Sequence, residues 1–182
     1  MPTAARKIEH GFALWLTGLP ACGKSTITQA LVTRLAQRGL KAAVLESDAL
    51  RKVLTPHPRY TEEERQVFYA SMLYMGRLLT EHGVPVIFDA TANRRAYRDA
   101  ARAQIPKFLE IYVDTALETC MARDPKGIYK KGQEGKASNV PGLQSPYEAP
   151  RLPDLVIDGE KDEAEDAAEK MVALLIEKKF LP

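Results

Sequence analysis

FALWLTGLPACGKST, residues 12–26, joins an apolar run to a turn that is rich in glycine. The apolar part, Phe12–Thr17, has the length and uninterrupted apolar character of a buried strand. The part that follows, Gly18–Thr26, matches the pattern G-x-x-x-x-G-K-[ST]. Lys24 then begins an amphipathic stretch that ends at Gly39, so the pattern lies between a predicted strand and a predicted helix.

This pattern predicts a loop that binds phosphate groups. Its glycines let the backbone turn tightly, so that several N–H groups point at one phosphate, and the following helix adds the positive end of its dipole. Lys24 supplies a positive charge for the outer phosphates, and Ser25 offers a hydroxyl to Mg²⁺, which prefers oxygen ligands. We therefore expect ATP and Mg²⁺ as cofactors. The residues expected to bind ATP through this phosphate loop are Gly18, Leu19, Pro20, Ala21, Cys22, Gly23, Lys24, Ser25 and Thr26.

Short apolar runs alternate with longer amphipathic segments along the rest of the chain. This alternation predicts an α/β protein with a P-loop NTPase/kinase fold, in which helices cover both faces of a five-stranded parallel sheet. Thr61 and Glu64 fit a capping box at the start of the long central helix. The expected strands are Phe12–Thr17, Lys41–Glu46, Val84–Asp89, Phe108–Val113 and Leu155–Asp158. The expected helices are Lys24–Arg38, Thr61–His82, Arg94–Gln104, Thr115–Arg123 and Asp162–Phe180.

The composition excludes several classes of protein. The 182 residues are expected to form one domain, 1–182, and an apolar share of 45% suffices for a core. Charged residues make up 27% but nearly cancel to +2, unlike the strongly basic domains that bind nucleic acid. Cys22 and Cys120 suggest neither a disulfide framework nor a zinc site, and no apolar stretch suits a signal peptide or a membrane span. We expect a cytoplasmic protein without nucleic-acid or membrane partners, and a homodimer stays open.

Acidic residues follow two of the predicted strands, at the edge of such a sheet where ligands bind. Asp48 comes just after the second predicted strand, and Asp89 ends the third. Either carboxylate can hold Mg²⁺ or accept the proton of an attacking hydroxyl. Asp48 can also cap a helix that begins at Ala49, and Asp89 can belong to a turn without a chemical role. The chain lacks the Asn-Lys-x-Asp guanine reader of GTP-hydrolysing switches, which favours a small kinase.

Residues 124–150 break the alternation and are rich in proline, glycine and lysine. So long a stretch without regular structure is usually either functional or disordered. A solvated linker is one interpretation. The other is a flexible lid at 124–150 that closes over anionic substrates and excludes water, which the basic side chains favour.

Three later segments carry longer and more specific patterns. Arg123–Lys131 reads RDPKGIYKK, Ser145–Pro150 reads SPYEAP and Phe108–Thr115 reads FLEIYVDT. In these segments, and over nearly the whole chain, the sequence resembles the adenylyl-sulfate kinase family, which phosphorylates the 3′-hydroxyl of adenosine 5′-phosphosulfate. The resemblance implies this compound or a related nucleotide as the acceptor, and sulfate assimilation as the setting.

The resemblance also implies roles for single residues. Asp48 would be the catalytic carboxylate near the acceptor hydroxyl and Mg²⁺, together with Lys24 of the phosphate loop. Ser25, Asp48 and Asp89 are then the expected metal ligands. Arg123 would lie near the ATP base. The expected acceptor-site residues are Arg51, Tyr60, Arg65, the lid lysines Lys130 and Lys131, and also Arg94 and Arg95, which follow a turn similar to the anion-holding turn of other P-loop kinases.

The chain departs from the family pattern only on the acceptor side. The family's asparagine and arginine pair are replaced by Phe68, Ala70 and Ser71. Ala92 stands where some members have a serine, so no phosphoserine intermediate is expected. Val140 stands where the family has an aromatic residue that stacks on the acceptor adenine.

These departures keep alternatives open. Phe68 can replace the lost stacking surface only if its ring faces the crevice rather than the core. Arg94, Arg95 or Arg98 can supply the missing positive charge. A sibling kinase with another nucleotide-like or sugar acceptor is the main alternative function, and an ATP-binding regulatory protein without transfer chemistry is a third.

Overall fold

The computed structural model describes residues 10–181, in which the strands form one parallel sheet. The strands are β1 (Ala13–Thr17), β2 (Ala43–Glu46), β3 (Val86–Asp89), β4 (Phe108–Asp114) and β5 (Leu155–Asp158). They pair in the order β2-β3-β1-β4-β5, and every pairing is parallel. The predicted five-stranded parallel sheet is therefore confirmed.

Helices complete the fold on both faces of the sheet. Side chains alternate along β1, so Leu14 and Leu16 pack into one core cluster, whereas Ala13 and Trp15 pack into the other. The first cluster lies against α1 and α7, and the second against α3 and α4. The helices are α1 (Lys24–Gln37), α2 (Ser47–Leu54), α3 (Glu62–Glu81), α4 (Arg95–Gln104), α5 (Leu117–Arg123), α6 (Ile128–Gln133) and α7 (Ala164–Glu177).

The predicted start of α3 is confirmed in its capping residue. The Thr61 hydroxyl accepts a hydrogen bond from the Glu64 backbone N–H at 3.3 Å. The Glu64 side chain does not complete a reciprocal box, because its Oε2 atom accepts instead from the Arg59 N–H at 2.7 Å. This bond ties the end of the preceding loop to the helix that borders the ligand crevice.

One helix was foreseen only as an alternative, and another was absent from the sequence prediction. α2 begins at Ser47 directly after β2, so Asp48 lies in its first turn, and Glu46 rather than Asp48 is the N-terminal capping residue. α6 lies inside the segment 124–150, which therefore has regular structure of its own. Tyr129 of α6 is buried, and its hydroxyl donates to the Pro20 carbonyl at 3.1 Å. The segment thus packs on the phosphate loop rather than forming a solvated linker.

The sheet order places the phosphate loop at a crevice. β1 lies between β3 and β4, and the chain leaves β1 toward β2 on one side and returns to β4 on the other. Ligands of such sheets bind at the carboxyl ends of the strands where the strand order reverses. The loop after β1, Asp89 at the end of β3 and the start of α2 after β2 all meet at this edge. No helix within residues 10–181 is long and apolar enough to cross a membrane.

Candidate active site

The phosphate loop has the backbone shape that its glycines predict. Gly18 and Gly23 have φ angles of 155° and 105°, in a region that favours glycine. A Cβ atom at Gly18 would lie 2.5 Å from the Val113 carbonyl oxygen and 2.6 Å from the Cys22 Sγ atom. Gly23 begins α1 without any side-chain cap, so the first N–H groups of the helix stay free to bind an anion.

The Lys24 side chain folds back over the phosphate loop to which it belongs. Its side chain is buried, and its ammonium group donates to the carbonyl oxygens of Gly18 at 3.1 Å and Leu19 at 2.8 Å. These bonds fold the ammonium back toward the loop, beside the N–H groups that would surround a phosphate. A point charge at this place stabilises negative charge on the outer phosphates of a nucleotide.

Asp89 is a buried carboxylate at the same edge of the sheet. Only 4% of the residue is exposed, and this burial raises the pKa of the Asp89 carboxyl above its usual range, although Lys24 and Ser25 oppose the shift. Within residues 10–181 no three His, Cys, Asp or Glu side chains cluster into a metal site. Mg²⁺ needs no such cage, because it binds one or two carboxylates together with phosphate oxygens and water. The Ser25 hydroxyl and the Asp89 carboxylate both offer oxygen ligands in the cleft, so these residues fit Mg²⁺.

Asp48 is contacted by a residue from the opposite side of the cleft. Lys126, which precedes α6, donates to Asp48 Oδ2 at 2.5 Å and lies 4.0 Å from Glu46 Oε1. Because the Asp48 and Lys126 side chains are about half exposed, their attraction adds little to stability. The pair nevertheless joins the segment 124–150 to the start of α2 at the ligand edge of the sheet. Lys126 was not among the predicted site residues, since only the fold brings it to Asp48.

Arg51 and Tyr60 lie at the other end of the cleft. The Arg51 guanidinium is buried and lies over the rings of Phe68 at 3.8 Å and Tyr60 at 4.9 Å, measured from Cζ to the ring centroids. Its nearest carboxylate is Glu64, at 3.7 Å from Nη1 to Oε1. The Nη1 atom is shielded from solvent and has no hydrogen-bond partner among residues 10–181. Glu64 Oε1 is shielded and without a hydrogen bond in the same way, so this atom pair is a loose ion pair. Arg51 also lines the cleft, and a guanidinium with so few hydrogen bonds is suited to bind an anionic ligand there.

Arg65 has a different environment, because the protein uses all parts of its guanidinium. Nε donates to the Tyr60 carbonyl at 3.2 Å, Nη1 to Asn93 Oδ1 at 3.1 Å and Nη2 to the Asn139 carbonyl at 2.7 Å. Arg65 therefore joins α3 to the turn after β3 and to the segment 124–150. Arg65 lines the cleft, but its hydrogen bonds mainly connect the parts of the chain that form this side of the cleft.

Arg94, Arg95 and Lys130 do not line the cleft. Arg94 pairs with Glu62, with Nε 2.6 Å from Oε1, and Arg95 donates to the Ala149 carbonyl at 3.0 Å. Glu62 and Ala149 are distant from the arginines in sequence, so no local pattern indicates these contacts. The structure therefore does not support the prediction that Arg94 and Arg95 supply positive charge to the acceptor.

Arg98, the third arginine considered for this purpose, is 1% exposed and wholly engaged in the core. It pairs with Glu110 at 2.6 Å and donates to the carbonyl oxygens of Ala92 and Glu148. Phe68 is likewise a core residue and does not line the cleft, so its ring offers no stacking surface to a ligand. Val140 does line the cleft.

The end of the cleft nearest α7 contains Arg123 and a segment that the sequence prediction missed. Arg123 donates to the Gly159 carbonyl at 2.8 Å. A Cβ atom at Gly159 would lie 2.1 Å from Thr115 Oγ1 and 2.9 Å from the Cys22 carbonyl oxygen, so only glycine lets the chain pass this close to the phosphate loop. Asp162, Glu163 and Ala164 also line this end, and their position just after β5 was the available signal.

A single cleft of ≈ 900 Å³ connects all these parts. This volume lies near the upper end of the usual range for ligand pockets, roughly 300–1,000 Å³. Of the predicted site residues, the cleft brings together Pro20, Ala21, Cys22, Gly23, Lys24, Ser25, Thr26, Asp48, Arg51, Tyr60, Arg65, Asp89, Arg123 and Lys131. Their arrangement suits transfer between two ligands, with anion-binding groups at each end.

Comparisons with known proteins agree with this arrangement. The family model described as adenylylsulphate kinase matches residues 10–158. The chain belongs to the adenylylsulphate kinase family. It is therefore a kinase that uses ATP. A probable adenylyl-sulfate kinase from Pseudomonas aeruginosa is 36% identical to it over 91% of this chain and 78% of the relative. Another from Pyrococcus abyssi is 34% identical over 95% of this chain and 99% of the relative.

The similarity extends to solved structures of adenylylsulphate kinases. The Mycobacterium tuberculosis enzyme, solved in complex with AMPPNP and APS, superposes with a TM-score of 0.87 and 30% sequence identity. The match covers 92% of this chain and 98% of that chain. The predicted family and fold are thus both confirmed.

Proposed function

We propose that this protein transfers the γ-phosphoryl group of ATP to the 3′-hydroxyl of adenosine 5′-phosphosulfate. The observation that carries the proposal is the single cleft, which joins the phosphate loop to the buried, incompletely paired guanidinium of Arg51. One end suits the phosphates of ATP, and the other suits an acceptor with its own anionic groups. The similar Mycobacterium tuberculosis enzyme was solved with both kinds of ligand.

The phosphate loop and Lys24 position the donor. The free N–H groups at the start of α1 would bind the β-phosphate, and the Lys24 ammonium would bind the outer oxygens. Arg123 and the Asp162–Ala164 segment would border the nucleoside. Mg²⁺, held by Ser25 and Asp89, would neutralise charge on the phosphates when it is bound.

Asp48 acts on the acceptor. As the acceptor O3′ forms a bond to the γ-phosphorus, the bond from that phosphorus to the oxygen of ADP breaks, and the hydroxyl proton passes to the Asp48 carboxylate. In this structure the Lys126 ammonium pairs with Asp48. Bound phosphates would attract this ammonium away from Asp48, because their negative charge exceeds that of one carboxylate. Lys126 and Lys131 would then surround the transferring group together with Lys24.

Arg51 and Tyr60 would hold the acceptor in the cleft. Arg51 would bind the anionic phosphosulfate group, and the partly exposed Tyr60 ring would face the base. The second stacking surface is reduced to Val140, because Phe68 is in the core. Loss of one stacking face costs about 1–3 kcal/mol, judged from bases stacked on aromatic rings elsewhere. We therefore expect weaker acceptor binding than a two-sided aromatic sandwich would give.

A direct assay tests this function. The protein is mixed with ATP, Mg²⁺ and adenosine 5′-phosphosulfate, and the 3′-phosphorylated product is identified by mass, with Lys24→Ala as the inactive control. A panel of other nucleotides and sugars is assayed in parallel. The proposal fails if the efficiency is far below about 10⁴ M⁻¹s⁻¹ while another acceptor does better. That outcome would identify a sibling kinase, and ATP binding without turnover on any acceptor would identify a regulatory protein.

A further inference from the structure

The Arg51 guanidinium is held mainly by aromatic rings. Its Cζ atom lies 3.8 Å from the centroid of Phe68 and 4.9 Å from that of Tyr60, with Tyr69 more distant at 5.9 Å. The only carboxylate recorded in contact with it, within residues 10–181, is that of Glu64, and at 3.7 Å this pair is too long for a hydrogen bond. The closest ring, Phe68, is 1% exposed and cannot turn away.

This way of holding a guanidinium differs from that of the other buried arginines. Arg98 donates to Glu110, Ala92 and Glu148, and Arg65 donates to three further partners, so all three guanidinium nitrogens of each arginine make a hydrogen bond. The face of an aromatic ring attracts a cation through its π-electrons and accepts no conventional hydrogen bond from it. Arg51 is therefore fixed in position with its shielded Nη1 beside Glu64 Oε1, while the residue lines the cleft and its Nε and Nη2 make no hydrogen bond within residues 10–181.

We propose that Phe68 is a positioning residue for the acceptor and acts through Arg51. Its ring keeps the guanidinium beside the cleft with N–H donors free for the anionic group of the acceptor. The inference rests on the proposed function only in assigning that anion to the acceptor. It also gives physical meaning to a departure in the sequence, because Phe68 stands where the family resemblance has an asparagine.

Two variants distinguish the effect of the aromatic ring face of Phe68 from the effect of its apolar volume. Phe68→Leu keeps an apolar side chain but removes the ring face, whereas Phe68→Tyr keeps the face and adds a hydroxyl. Phe108→Leu is the matched control, because Phe108 is also a buried phenylalanine but lies at the amino end of β4, far along the strand from the ligand edge. For each variant, KM for the acceptor, KM for ATP, kcat and the unfolding temperature are measured. The acceptor is the best one found in the panel.

For Phe68→Leu we expect the acceptor KM to rise about tenfold, whereas kcat and the ATP KM should change less than about threefold. A tenfold change corresponds to about 1.4 kcal/mol, which is within the range for a desolvated cation–π contact. Phe68→Tyr should keep the acceptor KM within about threefold even if it unfolds earlier. Phe108→Leu should lower the unfolding temperature without changing the acceptor KM. In an Arg51→Gln background, Phe68→Leu should change the acceptor KM less than about twofold.

Several outcomes would overturn the inference. One is an unchanged acceptor KM in folded Phe68→Leu, and another is an equal rise in Phe108→Leu, since both would reduce Phe68 to a packing residue. A parallel rise in both substrate KM values would point to general damage. If the wild-type protein prefers another acceptor, the proposed function fails, but the same four measurements on that acceptor still decide the role of Phe68.

Discussion

Replacing Arg98 by methionine is the most informative test of how the site is supported. Arg98 is 1% exposed, and its guanidinium connects three separate parts of the chain. Nε pairs with Glu110 of β4 at 2.6 Å, Nη2 donates to the Glu148 carbonyl at 2.6 Å, and Nη1 donates to the Ala92 carbonyl. The Ala92 contact fixes the turn that follows Asp89.

The size of the effect follows from what the substitution leaves behind. In Arg98→Met the Glu110 carboxylate, 5% exposed, keeps only Arg102 at 3.6 Å among residues 10–181, and the buried Ala92 carbonyl and the partly buried Glu148 carbonyl each lose a donor. Removing one partner of a buried ion pair costs about 3–5 kcal/mol. For a chain of this length each kcal/mol lowers the unfolding temperature by about 2–4 °C, so we expect a decrease of about 6–20 °C.

A double variant tests the cause. Adding Glu110→Leu removes the stranded carboxylate, and an apolar pair of similar volume is often as stable as a buried ion pair. Arg98→Met with Glu110→Leu should therefore recover at least about half of the lost stability, as measured by thermal and urea unfolding. A cost of less than about 1 kcal/mol for Arg98→Met, or a double variant less stable than the single one, would show that the buried ion pair does not support the site in this way.

Further predictions concern the catalytic edge. Lys24→Ala should fold normally but keep less than about a tenth of the turnover; greater activity would remove Lys24 from the mechanism. Asp48→Asn should reduce kcat far more than it weakens ATP binding, as measured by calorimetry, and equal activity would transfer the proton-accepting role to Asp89. Because burial raises the pKa of Asp89, its carboxyl takes up a proton more readily as the pH falls, and a protonated carboxyl cannot bind Mg²⁺. The apparent Mg²⁺ affinity should therefore decrease toward acidic pH in the wild type, and this dependence should be weaker in Asp89→Asn; identical pH profiles would exclude Asp89 as a ligand. Protease cleavage within 124–150 should fall when nucleotide and acceptor are both present, and unchanged cleavage would argue against closure of this segment.

The sequence contained most of the fold because each strand is a short apolar run between polar or glycine-rich turns. All the strands lie within two residues of their predicted ends. α2 was foreseen only as an alternative that begins at Ala49, because the helix in fact begins at Ser47 immediately after β2, with no turn residue between them to mark a boundary. α6 was missed because it is only six residues long and lies among glycines and prolines that usually indicate loops.

The site was predictable to different degrees at its two ends. The phosphate loop is contiguous, so its pattern is visible in the sequence. The acceptor end depends on contacts between distant residues, which no local pattern reports. Arg94 pairs with Glu62, which is 32 residues away in sequence. Lys126 is one of several lysines in its segment, and only the fold brings it to Asp48. The direction of the Phe68 ring depends on how α3 packs, and in the structure this ring faces the Arg51 guanidinium rather than a ligand.

Two tyrosines of the segment 124–150 attach it to the phosphate loop and to the end of the strand before that loop. The Tyr129 hydroxyl donates to the Pro20 carbonyl at 3.1 Å, and the Tyr147 hydroxyl lies 3.0 Å from Thr17 Oγ1. Thr17 and Pro20 flank Gly18, so both attachments are made to the base of the same loop. The Asn139 carbonyl, which lies between the two tyrosines in sequence, also accepts a hydrogen bond from Arg65 Nη2 at 2.7 Å. The longer stretch left between attachments therefore runs from Tyr129 to Asn139 and contains the exposed residues 134–136. An insertion at 134–136 should let this stretch bow farther outward and admit larger acceptors without detaching either tyrosine.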